Sequence, residues 1–509
     1  MTGCSCTLTL SLAALAAAAV LAQAQTAAAT AAASQPASPV EDWIKEAKNP
    51  VSWLTWGGDL RIRNEYYDNS VTLSQAALPT APLAGLRHEQ DVVRFRGRVW
   101  ASAVPVQDLS LNVRVSAEPR EWMRPAFVKQ YLGQTGMEWR YGILDVLNVK
   151  WTNIFQQPLS LTAGRQDIML GDYYDWWLVL DGTPRDGSWS FFLDGLRLTY
   201  EAKNIKTKFD VMYIYQNALP GEWVPTIGRS TYQGGLTSDY PIADQLERGV
   251  VFYVSNKSIE KTQLDGYFIY KRDDRETFHV NGALSTPGDN ADIYTVGGKL
   301  TGTPAEHWQY SLEGAYQFGT KQDTVRVATA PTFAERDIDA FGAKAKLTYL
   351  CKDERKNQLS LIGEFMSGDN PNTGKDEMFD VLWGRWPRWS ELYLFSYIYE
   401  TSGKIAQMNN LFRIGPAWSV APTKDLTLTA MYNAMFAPES IPTRTPSAGA
   451  DALFTKNGYF RGHYLQAILK YQLAKHATAH LWGEFVWQGD YYTRRDMLSF
   501  IRAEIMFMF

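Results

Sequence analysis

Cysteine is scarce in this 509-residue chain, with 3 in all. Cys4 and Cys6 precede the first apolar run, so Cys351 stands alone in the remainder and no disulfide framework can form. Charge of one sign is missing too. The 50 Lys and Arg face 54 Asp and Glu, which excludes a chain-wide basic surface for nucleic acid or an anionic membrane. Long hydrophobic runs are absent beyond residues 8–21, and a mean hydropathy of −0.27 excludes a bundle of membrane helices. What abounds is aromatic: 18 Trp and 27 Tyr within an aromatic share of 13%.

The run 8–21 ends in Ala22, Gln23 and Ala24, the pattern of a secretory signal peptide cleaved near Ala24, although residues 1–6 contain no Lys or Arg. Cys4 and Cys6 would leave with it. Residues 25–39 are mostly Ala, Ser, Thr, Gln and Pro, too poor in bulky apolar groups to order themselves. The expected organisation is therefore a signal peptide over 1–24, a flexible periplasmic segment over 25–52, and one folded unit over 53–509 with no linker inside it. A length prior of about one domain per 150 residues fails here.

Within that unit the dominant pattern is period-two alternation, the signature of strands whose faces meet different surroundings. Val93, Phe95, Gly97, Val99, Ala101 and Ala103 share one face, while Arg94, Arg96 and Arg98 share the other. Leu109, Leu111, Val113 and Val115 oppose Asn112 and Arg114 in the same way, and Ile501, Ala503, Ile505 and Phe507 oppose Arg502 and Glu504. Unpaired charges on so many strands cannot enter a dry core, so the second face is wet.

The links between strands alternate as strictly. Short ones near 105–108, 156–158, 203–206, 256–262, 302–306, 351–357, 421–425 and 474–476 lie between long ones such as 70–90, 119–141, 216–246 and 369–408. Eight short and nine long links predict an all-β fold: a single transmembrane antiparallel β-barrel of about 18 strands, of outer-membrane type. Its lipid face would meet the outer membrane, and an even strand count would place both termini on the periplasmic, short-turn side. A soluble sandwich or β-helix also alternates in hydropathy but does not need alternating link lengths.

Residues 161–172, LTAGRQDIMLGD, followed by 192–200, FLDGLRLTY, resemble the paired Gly-Arg-Gln and Asp-Gly-x-Arg strands of the alginate export family of outer-membrane proteins. Residues 314–319 (GAYQFG), 367–382 (SGDNPNTGKDEMFDVL) and 485–491 (FVWQGDY) match that family in order, so the resemblance spans the barrel. It implies an 18-stranded channel through which an anionic polyuronate leaves the periplasm, fed by periplasmic export or synthesis proteins. No cofactor is implied, and no enzyme activity.

Alternation alone places Arg61, Arg63, Arg94, Arg96, Arg98, Arg114, Lys150, Arg197, Lys344, Lys346, Arg413 and Lys470 on the polar face, where low-dielectric walls focus their field on anions. The plainer reading is neutralisation by Glu65, Glu118, Glu201, Glu313, Glu364 and Glu484. Arg165 and Arg197 fall inside the matched motifs, with Asp167 and Asp194 as neighbouring acids that either hold the arginines or gate between them. Strict parity puts Arg165 with Leu161 and Ala163 on the apolar face, so an inward Arg165 requires a bulge near Gly164. Trp100 and Trp482 are candidate surfaces for sugar rings.

Other motifs fail on inspection. Residues 368–375, GDNPNTGK, space their glycines by five residues instead of four, and Asp376 stands where a magnesium-binding hydroxyl is needed. His476 and His480 would lie about 13 Å apart on a strand, too far for one metal ion. No Gly-x-Ser-x-Gly or His-Glu-x-x-His occurs. Asp and Asn over 369–376 suit either calcium or turns. The functional expectation is passive passage of an acidic polysaccharide or oligosaccharide; the alternative is an uptake porin for small acidic sugars or other anions.

Overall fold

A computed structural model describes residues 39–70, 72–74, 88–124, 142–168, 170, 192–219, 231–232, 236–237, 243, 245–280, 283–286, 288–325, 332–370, 372–384, 389–393, 409–440 and 452–509. The chain divides into two compact units, Met1–Thr55 and Trp56–Phe509. In the first, Pro39–Lys48 form a helix, α1, inside the stretch expected to be flexible. The composition argument covered only residues 25–39. Beyond it, Pro39 presets φ at the first helical position, and Glu41 and Lys48 suit the charged ends of the helix. The expected signal peptide lies outside the described residues.

The second unit is a closed antiparallel barrel of 18 strands. In chain order they are β1 (Leu54–Asp68), β2 (Glu89–Val106), β3 (Leu109–Ala117), β4 (Ile143–Trp151), β5 (Leu159–Gln166), β6 (Leu193–Ala202), β7 (Thr207–Gln216), β8 (Gln245–Asn256) and β9 (Thr262–Arg275). There follow β10 (Asn290–Ala305), β11 (Trp308–Val325), β12 (Thr332–Leu350), β13 (Gln358–Met366), β14 (Leu411–Val420), β15 (Leu426–Phe436), β16 (Phe460–Ala474), β17 (Ala477–Gln488) and β18 (Met497–Met508). Each strand pairs with the next, and β1 meets β18 from Asp59↔Met508 to Asp68↔Ser499, which closes the ring. The eight short links fall where the sequence put them, and the links between them are longer except from β11 to β12, where only six residues separate Val325 from Thr332. Among the described residues no helix is long and apolar enough to cross a membrane.

Parity explains the wall. Val99, Leu111, Leu198, Val211, Phe252, Leu361 and Ile505 are exposed on the outer face, while Arg96, Asp145, Asp210 and Glu504 are buried inside. Two irregularities matter. Pro119 cannot continue the ladder of β3, so Phe95 N–H donates to its carbonyl at 2.9 Å, and Arg120–Arg124 resume pairing with β2 after the break. β12 has 19 residues against 9 in β13, and their pairing stops at Gly342↔Met366, so the rest of β12 has a bare edge. The long link 367–410 covers it: Asp376 N–H donates to Asp337 O at 2.8 Å, and Asp339 N–H donates to Asp376 O at 2.9 Å.

That link then turns into the barrel. Phe379, Val381, Leu382 and Trp383 are at most 1% exposed. Asp380 is clamped to Gln317 of β11, its N–H donating to Gln317 Oε1 at 2.8 Å and its carbonyl accepting from Gln317 Nε2 at 2.7 Å. The long-loop half of the interior is thus packed in part by a loop.

Val211 pairs with Leu198 and Phe252 on the outer face. Val211→Arg should cost about 2–4 kcal/mol of folding stability in lipid vesicles if that position lies near the bilayer midplane. An unchanged denaturation midpoint would contradict the assignment of faces.

Candidate functional site: the charged lumen

On the inner wall of β1, β2 and β18 the arginines are packed against acids. Glu65 accepts from Arg94 at 3.1 Å, from Arg63 at 3.3 Å and from Arg502 at 2.6 Å. Glu118 pairs with Arg61 and Arg94, both at 3.4 Å, and Glu504 accepts from Arg63 Nε at 2.7 Å. Asp59 holds Arg96 at 3.0 Å and Arg98 at 2.6 Å. The lattice arises because inward positions two apart on one strand face inward positions on the next, so an alternating charge pattern finds opposite charge on both sides. Arg61, Arg63, Arg94 and Arg96 are nearly fully buried. These four predicted pore residues do lie on the polar face, but their charge is spent within the wall.

The other side of the barrel differs. A cavity of about 880 Å³ opens at the short-turn end of β6 to β12, lined by Arg197, Lys206, Lys208, Lys257, Lys261, Lys299 and Lys346 against Asp210, Glu260 and Asp265. A second, of about 440 Å³, is lined by Trp100, Ser102, Asn112, Arg114, Asn148, Thr162, Gln166 and Asp167. Arg197 lines both. Its Nε donates to Asp210 at 2.9 Å, which orients it between the two spaces. At the far end of the smaller cavity, Arg114 and Asp167 form a bidentate pair at 2.9 Å, while Asp145 also accepts from Arg114 Nε at 3.0 Å.

The bulge expected near Gly164 is absent. β5 pairs with β4 and β6 without a register shift, and the shift lies instead at Asp145, between the partners of Arg114 and Val115. Gly164 takes φ +116°, and a Cβ there would stand 2.3 Å from Leu147 O, so only glycine fits this close approach. Arg165 is buried, bound bidentately to Asp194 at 2.8 and 3.0 Å, donating to Leu144 O at 2.9 Å and lying 3.7 Å over the Phe192 ring. Asp194 thus holds the arginine. Lys150 is exposed at the short-turn end of β4. Lys344 faces Glu313 and Glu364 across its neighbours, and Arg413 pairs with Glu364 beneath the Trp389 ring at 4.5 Å. Trp482 is buried near Arg502, whereas Trp100 faces the smaller cavity.

Sequence reasoning missed Lys206, Lys208, Lys257, Lys261 and Lys299 as site residues. Parity extended to the strand ends finds Lys208 and Lys299, which share faces with Asp210 and Asp265 respectively; the turn lysines carry no periodic signal. It also missed the loop anchors. Glu484 of β17 accepts from Ser390 Oγ at 2.5 Å, Glu391 N–H at 2.8 Å and Leu392 N–H at 3.1 Å. Lys271 reaches Asp380 at 3.5 Å, and Lys321 reaches Asp376 at 3.1 Å. Asp369 is paired with Arg336 at 3.0 Å. The acids over 369–376 are therefore engaged by cations of the barrel, and among the described residues no His, Cys, Asp or Glu cluster is arranged to hold a metal.

A closed barrel with a lipid-facing apolar wall and a charged interior defines an outer-membrane channel. The model of the alginate export family matches residues 52–500, and the chain belongs to that family. Among solved structures, Acinetobacter baumannii OccAB1 aligns with a TM-score of 0.50 at 11% identity, over 89% of this chain and 96% of that one. Pseudomonas aeruginosa OccK2 (OpdF) aligns at 0.47 and 11%, over 89% and 97%, and has also been solved in complex with glucuronate. At such identity the likeness is one of fold. No curated protein matches the chain.

Glu65→Gln would leave three buried arginines short of one charge, so an unfolding titration should show a loss of about 3–5 kcal/mol; a loss below about 1 kcal/mol would mean the network is better solvated than its burial indicates. Burial and the neighbouring Asp376 push Asp369 up to about 6, against about 4 in an unfolded chain. Its stabilising contribution is complete below about pH 4 and disappears as pH rises through 6. Loop fluctuations in single-channel records should accordingly be more frequent at pH 8 than at pH 5, and Asp369→Asn should flatten that dependence.

Proposed function

We propose that this channel passes an acidic polysaccharide of the polyuronate class, passively, along the Arg197 side of the lumen. The observation that carries the reading is the charge imbalance of the larger cavity, seven cations against three acids, with Arg197 shared by the next space along. Cations in a partly desolvated, low-dielectric wall raise the local concentration of carboxylates, and guanidinium pairs with them bidentately. Of the residues predicted to line the pore, Arg197, Arg114 and Asp167 border these spaces, so they are the ones assigned to the conduit; Arg61, Arg63, Arg94, Arg96 and Arg98 set its wall.

The same reading assigns residues 1–24 to export, the short turns and both termini to the periplasm, and polymer supply to periplasmic synthesis or export proteins, since a barrel has no energy source of its own. The loop 367–410 favours a second reading. By filling part of the interior it narrows the passage, as uptake of small acidic sugars would require.

Single-channel recording of the refolded protein in a salt gradient tests both. An anion-selective reversal potential, with current blocked by long polyuronate and block weakened about tenfold by Arg197→Ala, is the expected result. Anion selectivity with passage of monomeric uronate and no block by polymer would select the uptake reading, and a cation-selective current would overturn both.

A further inference from the structure

The lysines at the short-turn mouth are arranged in a way that general attraction of anions does not require. Lys206 closes the β6–β7 turn and Lys257 opens the β8–β9 turn, and Lys257 N–H donates to Lys206 O at 2.9 Å. Two like charges are thereby tied together through the backbone. Below them Thr207 pairs with Asn256, whose Nδ2 donates to Thr207 Oγ1 at 2.6 Å and whose Oδ1 accepts from Ser258 Oγ at 2.6 Å, so the platform is rigid.

Among the described residues neither Lys206 nor Lys257 forms an ion pair, while the acids nearby are mostly occupied. Asp210 accepts from Arg197 and from Lys208 at 3.3 Å, and Asp265 accepts from Gln263 at 2.9 and 3.0 Å. Glu306 is paired with Lys352 at 2.7 Å. Glu260 and Glu201 are the rim acids facing this group. Behind the rim pair, Lys208, Lys299, Lys346 and Arg197 continue the positive lining inward.

We propose that this mouth is a binding site for several consecutive acidic sugar residues, with Lys206 and Lys257 gripping the outer carboxylates while the cavity behind holds the leading ones. The inference rests on the polyuronate reading and adds to it a site, a valency and a side. A ligand with one carboxylate engages one part of such a row, whereas a linked series engages all of it at high effective concentration. The mouth therefore distinguishes chain from monomer before any molecule reaches Arg197.

The test uses the full chain in planar bilayers, inserted with known orientation, with uronate monomer, tetramer and long polymer added to one side at a time. The tetramer should block from the short-turn side at a concentration at least tenfold lower than from the long-loop side, and at least tenfold lower than the monomer. Lys206→Gln with Lys257→Gln should weaken that block about tenfold, whereas Lys424→Gln on another short turn should leave it unchanged. Equal block from both sides, or no effect of the double substitution, would overturn the inference while the anion selectivity of the unaltered channel still upheld the broader reading; loss of that selectivity would overturn both. Equal block by inorganic polyphosphate of the same charge number would overturn the assignment to sugars.

Discussion

Backbone N–H and C=O groups in a hydrocarbon layer have no water to turn to, and each one left unpaired costs several kcal/mol. The closure of β1 on β18 is the answer to that constraint, and most of the rest follows from it. A ring has no edges, so every strand has two neighbours and two faces. One face must be apolar along its membrane-spanning length, which sends nearly all charge inward. Eighteen strands then concentrate arginine, lysine, aspartate and glutamate in one interior, and the two sides of the barrel resolve that crowding differently.

On β1, β2 and β18 the resolution is neutralisation. Six arginines share Asp59, Glu65, Glu118, Glu391 and Glu504 at distances of 2.5 to 3.7 Å. Each acid serves more than one guanidinium or sits beside one that serves another acid, so no single pair can be removed without stranding a charge. This is structural use of arginine, dense and nearly dry. Across the barrel lysine predominates, the acids are fewer, and the space is open. Lysine keeps its own hydration and a flexible stem, so it suits a wall that must bind reversibly, whereas the planar fork of arginine suits one that must stay assembled.

Period-two parity and alternating link lengths made the strands legible, because both are local consequences of a sheet between lipid and water. Arg61 to Arg98 could be placed on the polar face, yet not sorted from Arg197. Whether a charge is compensated depends on partners such as Glu504, hundreds of residues away. The supposed bulge at Gly164 failed for a related reason: the irregularity sits at Asp145 on the neighbouring strand, where register is set by pairing with β3. Loop contacts were the least legible. Nothing in residues 367–410 announces that Ser390, Glu391 and Leu392 will converge on the Glu484 carboxylate, since turn chemistry reads the same whether a loop stands out in solvent or folds into a lumen.

The described part of that loop also occupies interior space. Phe379, Val381, Leu382 and Trp383 are buried, and at about 1.5–3 kcal/mol for each such side chain their displacement would cost roughly 6–12 kcal/mol, more than a few screened carboxylate contacts supply. The loop is best treated as part of the wall. Its contacts among the described residues include β8, β9, β11, β12, β14, β16, β17 and β18. The smaller cavity lies on β2 to β6, joined to the larger one at Arg197. On the polyuronate reading proposed above, a path from the short-turn mouth past Arg197 would run toward the Arg114–Asp167 pair. Asp167 is the more exposed partner, its side chain 35% exposed against 15% for Arg114, so an arriving carboxylate can exchange with it one for one while Arg114 remains held by Asp145. Exchange of like for like needs no net loss of charge pairing, so on the reading proposed above this pair would oppose an acid less than a neutral sugar.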